Sequence, residues 1–193
     1  MSWDPYLDLE HGVLRNRFAI TDAETLARVE SELTAVRIAE LTQNPLPGRY
    51  DLALLQSLHW HIFSDIYSWA GQLRTVALGK GRHLFCPPDQ LTVKGEAVFA
   101  DLADGDYLRG RDRPAFVRGL TDVLSALTYL HPFREGNGRA QRLLLTQLAR
   151  EAGYNLDWAL LDPADNIAAS RAAHEGDHKP LRRALDDLVG PAS

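Results

Sequence analysis

Apolar residues recur at steps of three and four in several separate stretches of the chain, the period of helices that bury one face. Leu26, Val29, Leu33 and Val36 form the first, with Thr21 and Glu24 at capping-box spacing before it, and predict a helix to about Leu41. Asn44, Pro45, Pro47 and Gly48 interrupt the pattern. Asp51 then caps a second helix, with Leu52, Leu55, Leu58, Ile62, Ile66 and Trp69 on one face and an end before Gly71. Leu91, Val98 and Leu102 predict a third helix ending near Gly105, and Asp112 with Pro114 opens a fourth through Phe116, Leu120, Val123, Leu127 and Leu130. Leu144, Leu145, Leu148 and Ala152 mark a fifth, stopped by Gly153, and two more follow over Pro163 to Ala173 and His178 to Leu188. Only Thr75 to Leu78 and His83 to Cys86 favour strands, forming a hairpin around Gly79, Lys80, Gly81 and Arg82. Residues 1–20 hold Trp3, Tyr6, Leu9, Val13, Leu14 and Phe18 without sustained period, as an arm packed on the body would. The predicted class is mainly α, a helical bundle with one short hairpin.

The fourth and fifth helices are separated by the stretch HPFREGNGRAQR, from His131 to Arg142. Pro132 biases His131 away from helical dihedrals, and Gly136 and Gly138 admit backbone conformations that other residues resist. The next helix is expected to start near Gly138 or Arg139. Its free N–H groups and positive dipole end suit an anion, phosphate being the natural guess. Arg139 and Arg142, one helical step of three apart, are expected to share the face that meets the anion. Glu135 is best explained as a hard oxygen ligand for a magnesium ion bridging phosphates, and His131 is the side chain able to take a proton near neutral pH, hence the candidate general base. Singly, each feature has an ordinary structural explanation: a helix cap, a turn, a solvated cationic face. Their order within one short stretch favours a nucleotide site.

Composition narrows what else the chain does. With 193 residues, 45% hydrophobic, it is long enough for one domain with a sizeable core. A formal charge of −5 without a basic run argues against direct nucleic-acid binding. Cys86 is the single cysteine, so no intrachain disulfide forms; the amino terminus lacks a basic-then-apolar leader, and no stretch is apolar for long enough to span a bilayer. A cytoplasmic protein with no membrane partner is expected. His59 and His61 sit two apart on a predicted helix, the wrong spacing for a helical metal pair. The Gly79 to Arg82 turn lacks the spacing and hydroxyl of a phosphate-binding P-loop.

His131, Phe133, Glu135, Gly136, Asn137, Gly138, Arg139 and Arg142 together resemble the signature of the Fic (filamentation induced by cAMP) family. The resemblance extends to HGVLRNRFAITD from His11, to His59–Thr75 with IYSWAGQLRT, and to GKGRHLFCPP from Gly79, and so covers nearly the whole chain as a single domain, 1–193. It implies the Fic fold, with an arm at 1–20, a flap hairpin at 75–88 and a catalytic loop and helix start at 131–142. The implied activity is protein adenylylation: AMP passes from ATP to a Tyr, Thr or Ser hydroxyl of a target protein and pyrophosphate leaves. By the same resemblance, His131 is catalytic, Gly136, Asn137, Gly138, Arg139 and Arg142 hold ATP, Glu135 holds Mg²⁺, and Phe133 packs inward to fix the loop. Gly79, Lys80, Gly81, Arg82, His83, Leu84 and Phe85 form the flap that takes the target segment by strand addition. Relatives resembling Doc transfer the terminal phosphate instead, but carry a lysine at the position of Gly138; a nucleotide-binding interaction module without chemistry is the other alternative.

The implied biology is a growth-arresting toxin, with a type II topoisomerase a candidate target. Many Fic proteins are restrained by a helix carrying Ser or Thr, three residues, Glu, then Gly or Asn, whose glutamate pairs with the second motif arginine, here Arg142. This chain has only Thr92 with Glu96 at that spacing, followed by Ala97, and Ser170 with Glu175 is one residue too long. A separate small helical antitoxin supplying the glutamate is therefore expected.

Overall fold

The computed structural model describes residues 4–81 and 83–191. Among the described residues, seven α-helices share a core built on two of them, α4 (Arg113–Leu130) and α5 (Asn137–Glu151), which flank the motif. Phe116, Leu120 and Leu127 of α4 and Leu144, Leu145 and Leu148 of α5 are fully buried. Each such leucine contributes about 1.5–3 kcal/mol through burial. Asp112 caps α4 by accepting the Ala115 N–H at 2.8 Å, with Pro114 in the first turn, as the sequence predicts. Helix α3 (Leu91–Asp104) packs on α4 and ends at Gly105, again as predicted.

Helix α2 (Leu52–Phe63) packs against α5, but it is shorter than its apolar period suggests. Asp51 caps it at the Leu54 N–H, 2.7 Å, whereas it stops at Phe63 instead of continuing to Trp69. Ile66, Tyr67 and Ala70 sit in successive turns whose N–H groups reach back to Phe63, Phe63 and Tyr67 carbonyls. Ile66 and Trp69 remain buried, so the helical period persists in a segment that has left the helix. The turn-forming run Ser64-Asp65 explains the exit, and Asp65 is held by Arg37 at 2.8 Å.

Helix α1 (Ala23–Gln43) is capped by Asp22, whose carboxylate accepts the Thr25 N–H at 2.7 Å, not by Thr21. Its inner face also departs from the apolar pattern. Val36 is exposed, while Leu26, Thr34 and Leu41 are buried and Glu30 is half-buried. The polar residues on this face meet the motif helix.

Among the described residues the strands come in three antiparallel pairs. β1 (Leu7–Asp8) and β2 (Val13–Leu14) form a hairpin in the N-terminal segment, where Tyr6 and Val13 are buried. β3 (Gly79–Lys80) and β4 (His83–Leu84) pair Gly79 with Leu84 and Lys80 with His83, so Gly79 and Lys80, read from sequence as part of the turn, are strand residues. The hairpin continues by the Phe85 N–H to the Leu78 carbonyl, 3.0 Å. β5 (Tyr154–Leu156) pairs with β6 (Val189–Pro191), a contact without any sequence signal. Helices α6 (Pro163–His174) and α7 (Lys179–Leu188) form a hairpin that lies on α4 through Ala169, Ala173, Leu181, Leu185 and Leu188. Among the described residues no helix is long and apolar enough to cross a membrane.

Candidate active site

Helix α4 ends at His131, which takes left-handed dihedrals (φ 43, ψ 59) while its N–H still bonds the Leu127 carbonyl at 3.0 Å. The extended conformation favoured before proline is not the one adopted. The loop then turns at Gly136 (φ 80), where a Cβ would lie 2.3 Å from the Phe63 ring, so only glycine fits. Helix α5 begins at Asn137, one residue before the expected start.

Three buried contacts brace the loop from below. The Asn137 amide accepts the Phe133 N–H at 2.9 Å and donates to the Phe133 carbonyl at 2.8 Å. Phe133 is fully buried and stacks on His59 with centroids 3.8 Å apart. His59 accepts the Gly71 N–H at Nδ1, 2.8 Å, which leaves the proton on Nε2, and Nε2 donates to the Glu135 carbonyl at 2.9 Å. Burial lowers the His59 pKa to about 4, so it is neutral at physiological pH. The Asn137 side chain is therefore committed to the loop, and only its backbone N–H remains for a phosphate. His59 itself carried a signal: it falls four residues after Leu55 and four before Phe63 on a buried helical face.

The two motif arginines diverge, contrary to the sequence expectation of a shared anion-facing side. Arg139 Nη2 pairs with Glu30 of α1 at 2.6 Å and lies 3.6 Å from the Glu135 carboxylate; Nη1 reaches Thr34 Oγ1 at 3.3 Å. Its guanidinium stacks over Phe63, 4.6 Å from the ring centroid. The other Glu30 oxygen accepts from the Tyr67 hydroxyl, whose pKa is raised by burial and by this bond. Arg142 is half-buried and, among the described residues, has no carboxylate within ion-pair distance. Burial, then the charge of Arg139, lowers its pKa. A cation in this state gains most from an incoming anion.

Arg142 lines a cavity of about 270 Å³ together with His131, Gly138, His83, Phe85 and Trp158. The Phe85 ring lies flat on the His131 imidazole, 3.9 Å between centroids and 4° between planes. Across the cavity mouth His83 Nε2 approaches Glu175 at the end of α6, 3.2 Å. At Gly138 the nearest atom to a built Cβ is Arg142 Nη2 at 4.0 Å, so this position opens toward the same space. Glu135 is exposed, with Oε1 accepting the Gly136 N–H at 2.9 Å. Gly79, Lys80, Gly81 and Leu84 belong to the hairpin above, Leu84 being 71% exposed; Arg82 lies outside the described residues. The cavity thus combines an imidazole, a desolvated cation and a helix N-terminus along mostly apolar walls, a lining suited to a nucleotide.

A family model described as Fic/DOC matches residues 49–149, which contain this loop and its buried braces. The chain belongs to the Fic/DOC family. Among similar Fic proteins, one from Sinorhizobium fredii named "Probable protein adenylyltransferase y4lH" is 40% identical, over 92% of this chain and 91% of its own length. Protein adenylyltransferase VbhT of Bartonella schoenbuchensis is 38% identical over 90% of this chain, which spans 36% of that longer protein. The crystal structure of the N-terminal Fic domain of a Bep effector from Bartonella quintana, solved with bound ADP, superposes with a TM-score of 0.89 at 25% identity, covering 97% of this chain and 95% of that one. The Fic fold is therefore the architecture of this chain.

Against metal binding by protein alone, no cluster of three or more His, Cys, Asp or Glu is present among the described residues. Glu135 does not itself line the cavity, but it is an exposed carboxylate two residues before the start of α5, and its chemistry fits Mg²⁺, which is commonly held by one or two carboxylates plus substrate phosphates and water.

Proposed function

We propose that the chain is a protein adenylyltransferase that transfers AMP from ATP to a protein hydroxyl, with His131 as general base. Relatives bearing that name span most of the chain, and the observation that carries the chemistry is the cavity shared by His131, Arg142 and the start of α5. The oxygen of the incoming hydroxyl forms a bond to the α phosphorus, the bond to the bridging oxygen breaks, and pyrophosphate departs. His131 takes the hydroxyl proton, held in place by Phe85 and by its own cap position. Arg142 and the N–H groups of Asn137 and Gly138 meet the phosphates, offsetting charge as the leaving group forms. Glu135 would hold Mg²⁺, which supplies charge neutralisation between the phosphates. Arg139 acts behind this line, fixing Glu135 through its pair with Glu30.

The flap takes an extended segment of the target by backbone pairing, β3 and β4 forming a two-stranded antiparallel sheet among the described residues. A cytoplasmic setting and a type II topoisomerase as target agree with the resemblance set out above. Restraint comes from a separate helical antitoxin whose glutamate pairs with Arg142. Supporting this, Arg142 has no internal carboxylate partner among the described residues, and Glu96 is an exposed residue of α3. Incubation of the purified chain with Mg-ATP and a lysate, followed by mass spectrometry of the modified protein, tests the activity. An adenylyl group on Tyr, Thr or Ser is expected; no modified protein in any lysate fraction, despite tight ATP binding, would contradict it.

A further inference from the structure

Arg74 is 2% exposed, yet no carboxylate lies within ion-pair distance of it among the described residues. A buried charge persists only when its donors are met, and here backbone carbonyls meet them. Nε donates to His131 at 2.7 Å, Nη1 to Val76 at 2.7 Å, and Nη2 to Cys86 at 2.5 Å and to Leu130 at 3.4 Å. The Arg74 backbone N–H adds the Pro132 carbonyl at 2.8 Å. These acceptors belong to three separate segments: the end of α4 with the start of the catalytic loop, the outgoing arm of the flap, and its returning arm. Cys86 also donates its N–H to the Tyr129 carbonyl at 2.9 Å, and the neighbouring Phe85 covers the His131 ring.

His131 needs such support. A left-handed conformation is unfavourable for a residue with a side chain, and more so before proline, so the hydrogen bond to its carbonyl helps select that geometry. The guanidinium fork is suited to this because it directs several donors in one plane, whereas an ammonium is a point.

We propose that Arg74 is a positioning residue, which holds the His131 main chain and both arms of the flap as one unit and so fixes the distance between the imidazole and the target-binding edge. The kinetic part of this inference rests on the adenylyltransferase reading; the mechanical part does not. In the full chain, Arg74→Lys keeps the charge but cannot span the acceptors. Amide exchange at Phe85 and Cys86 should accelerate by about tenfold or more. The kcat for transfer should fall by about tenfold or more, with a raised KM for the target protein and an ATP Kd within about threefold of wild type. Unchanged exchange at these amides, or faster exchange with unchanged kcat and target KM, overturns the proposal.

If Arg74→Lys does not fold, the wild-type protein decides. The Arg74, Cys86 and His131 amides should then open with one shared free energy and denaturant dependence, whereas exchange of Cys86 at a separate, lower opening energy overturns the coupling. Absence of AMP transfer by the wild type would defeat the functional reading and leave these exchange measurements to judge the inference.

Discussion

The first two turns of α5 face two ways. On its α1 side, Arg139 is enclosed by Glu30, Thr34, Glu135 and the Phe63 ring, with Tyr67 holding Glu30 in turn. On its cavity side, Arg142 meets solvent space beside His131 and, among the described residues, no carboxylate within ion-pair distance. Two identical side chains one step of three apart thus differ in their surroundings because different elements pack against them. On the proposed reading the paired arginine is structural, and the desolvated one, without a carboxylate partner among the described residues, meets the phosphates.

Substitutions on each side separate these roles. The largest effect is expected from His131→Ala, which should reduce transfer by about two to four orders of magnitude while ATP binding, measured by calorimetry, stays nearly intact. Labelling at the wild-type rate would remove His131 from the mechanism. Next, Arg142→Ala should weaken ATP binding by roughly ten- to a hundredfold, the worth of a charge-assisted hydrogen bond, without lowering thermal stability. On the α1 side the pattern should invert. Arg139→Met leaves Glu30 partly buried without its cation and should cost about 1–3 kcal/mol in denaturant unfolding, discounted from fully buried pairs because both groups retain some exposure, while ATP affinity changes by less than about threefold. If Arg139→Met weakens ATP as much as Arg142→Ala does, the division between the two sides is wrong.

Much of the site can be read directly from the chain. His131-Pro132 ends α4, Gly136 turns the loop and Asp112 starts the helix that delivers it, because caps, prolines and glycines act locally. The placement of Arg139 was not legible. Its partner Glu30 is over a hundred residues away, and α1 presents Glu30 and Thr34 inward where apolar period suggests Val36. Periodicity reports which positions avoid water, and it is silent about polar side chains that are buried because they satisfy one another. Arg74 escaped for the same reason, since its acceptors are carbonyls and every residue has one. The premature end of α2 shows a second limit: Ile66 and Trp69 keep helical spacing in a run of turns because both remain part of the core.

An effect confined to acid pH, and absent at neutrality, lies beneath both sides, at His59. Its pKa in the folded state, about 4, is below the ordinary value of 6.5, so the unfolded chain binds more protons between these limits. Stability should therefore be complete above about pH 6.5 and fall as the pH drops, losing up to roughly 3 kcal/mol by pH 4 from this group. His59→Gln should flatten that part of the stability profile, followed by denaturant melts across the range; an unchanged acid slope would mean that other groups produce it.

The central claim concerns which phosphorus is attacked. ATP labelled at the α position and ATP labelled at the γ position, each incubated with the chain, Mg²⁺ and a lysate, give the most direct answer, with His131→Ala as the control. The account predicts protein-bound label from the α position alone, lost in His131→Ala. Label arriving only from the γ position would make the enzyme a phosphotransferase and contradict the assignment of Arg142 and the α5 N-terminus to a departing pyrophosphate.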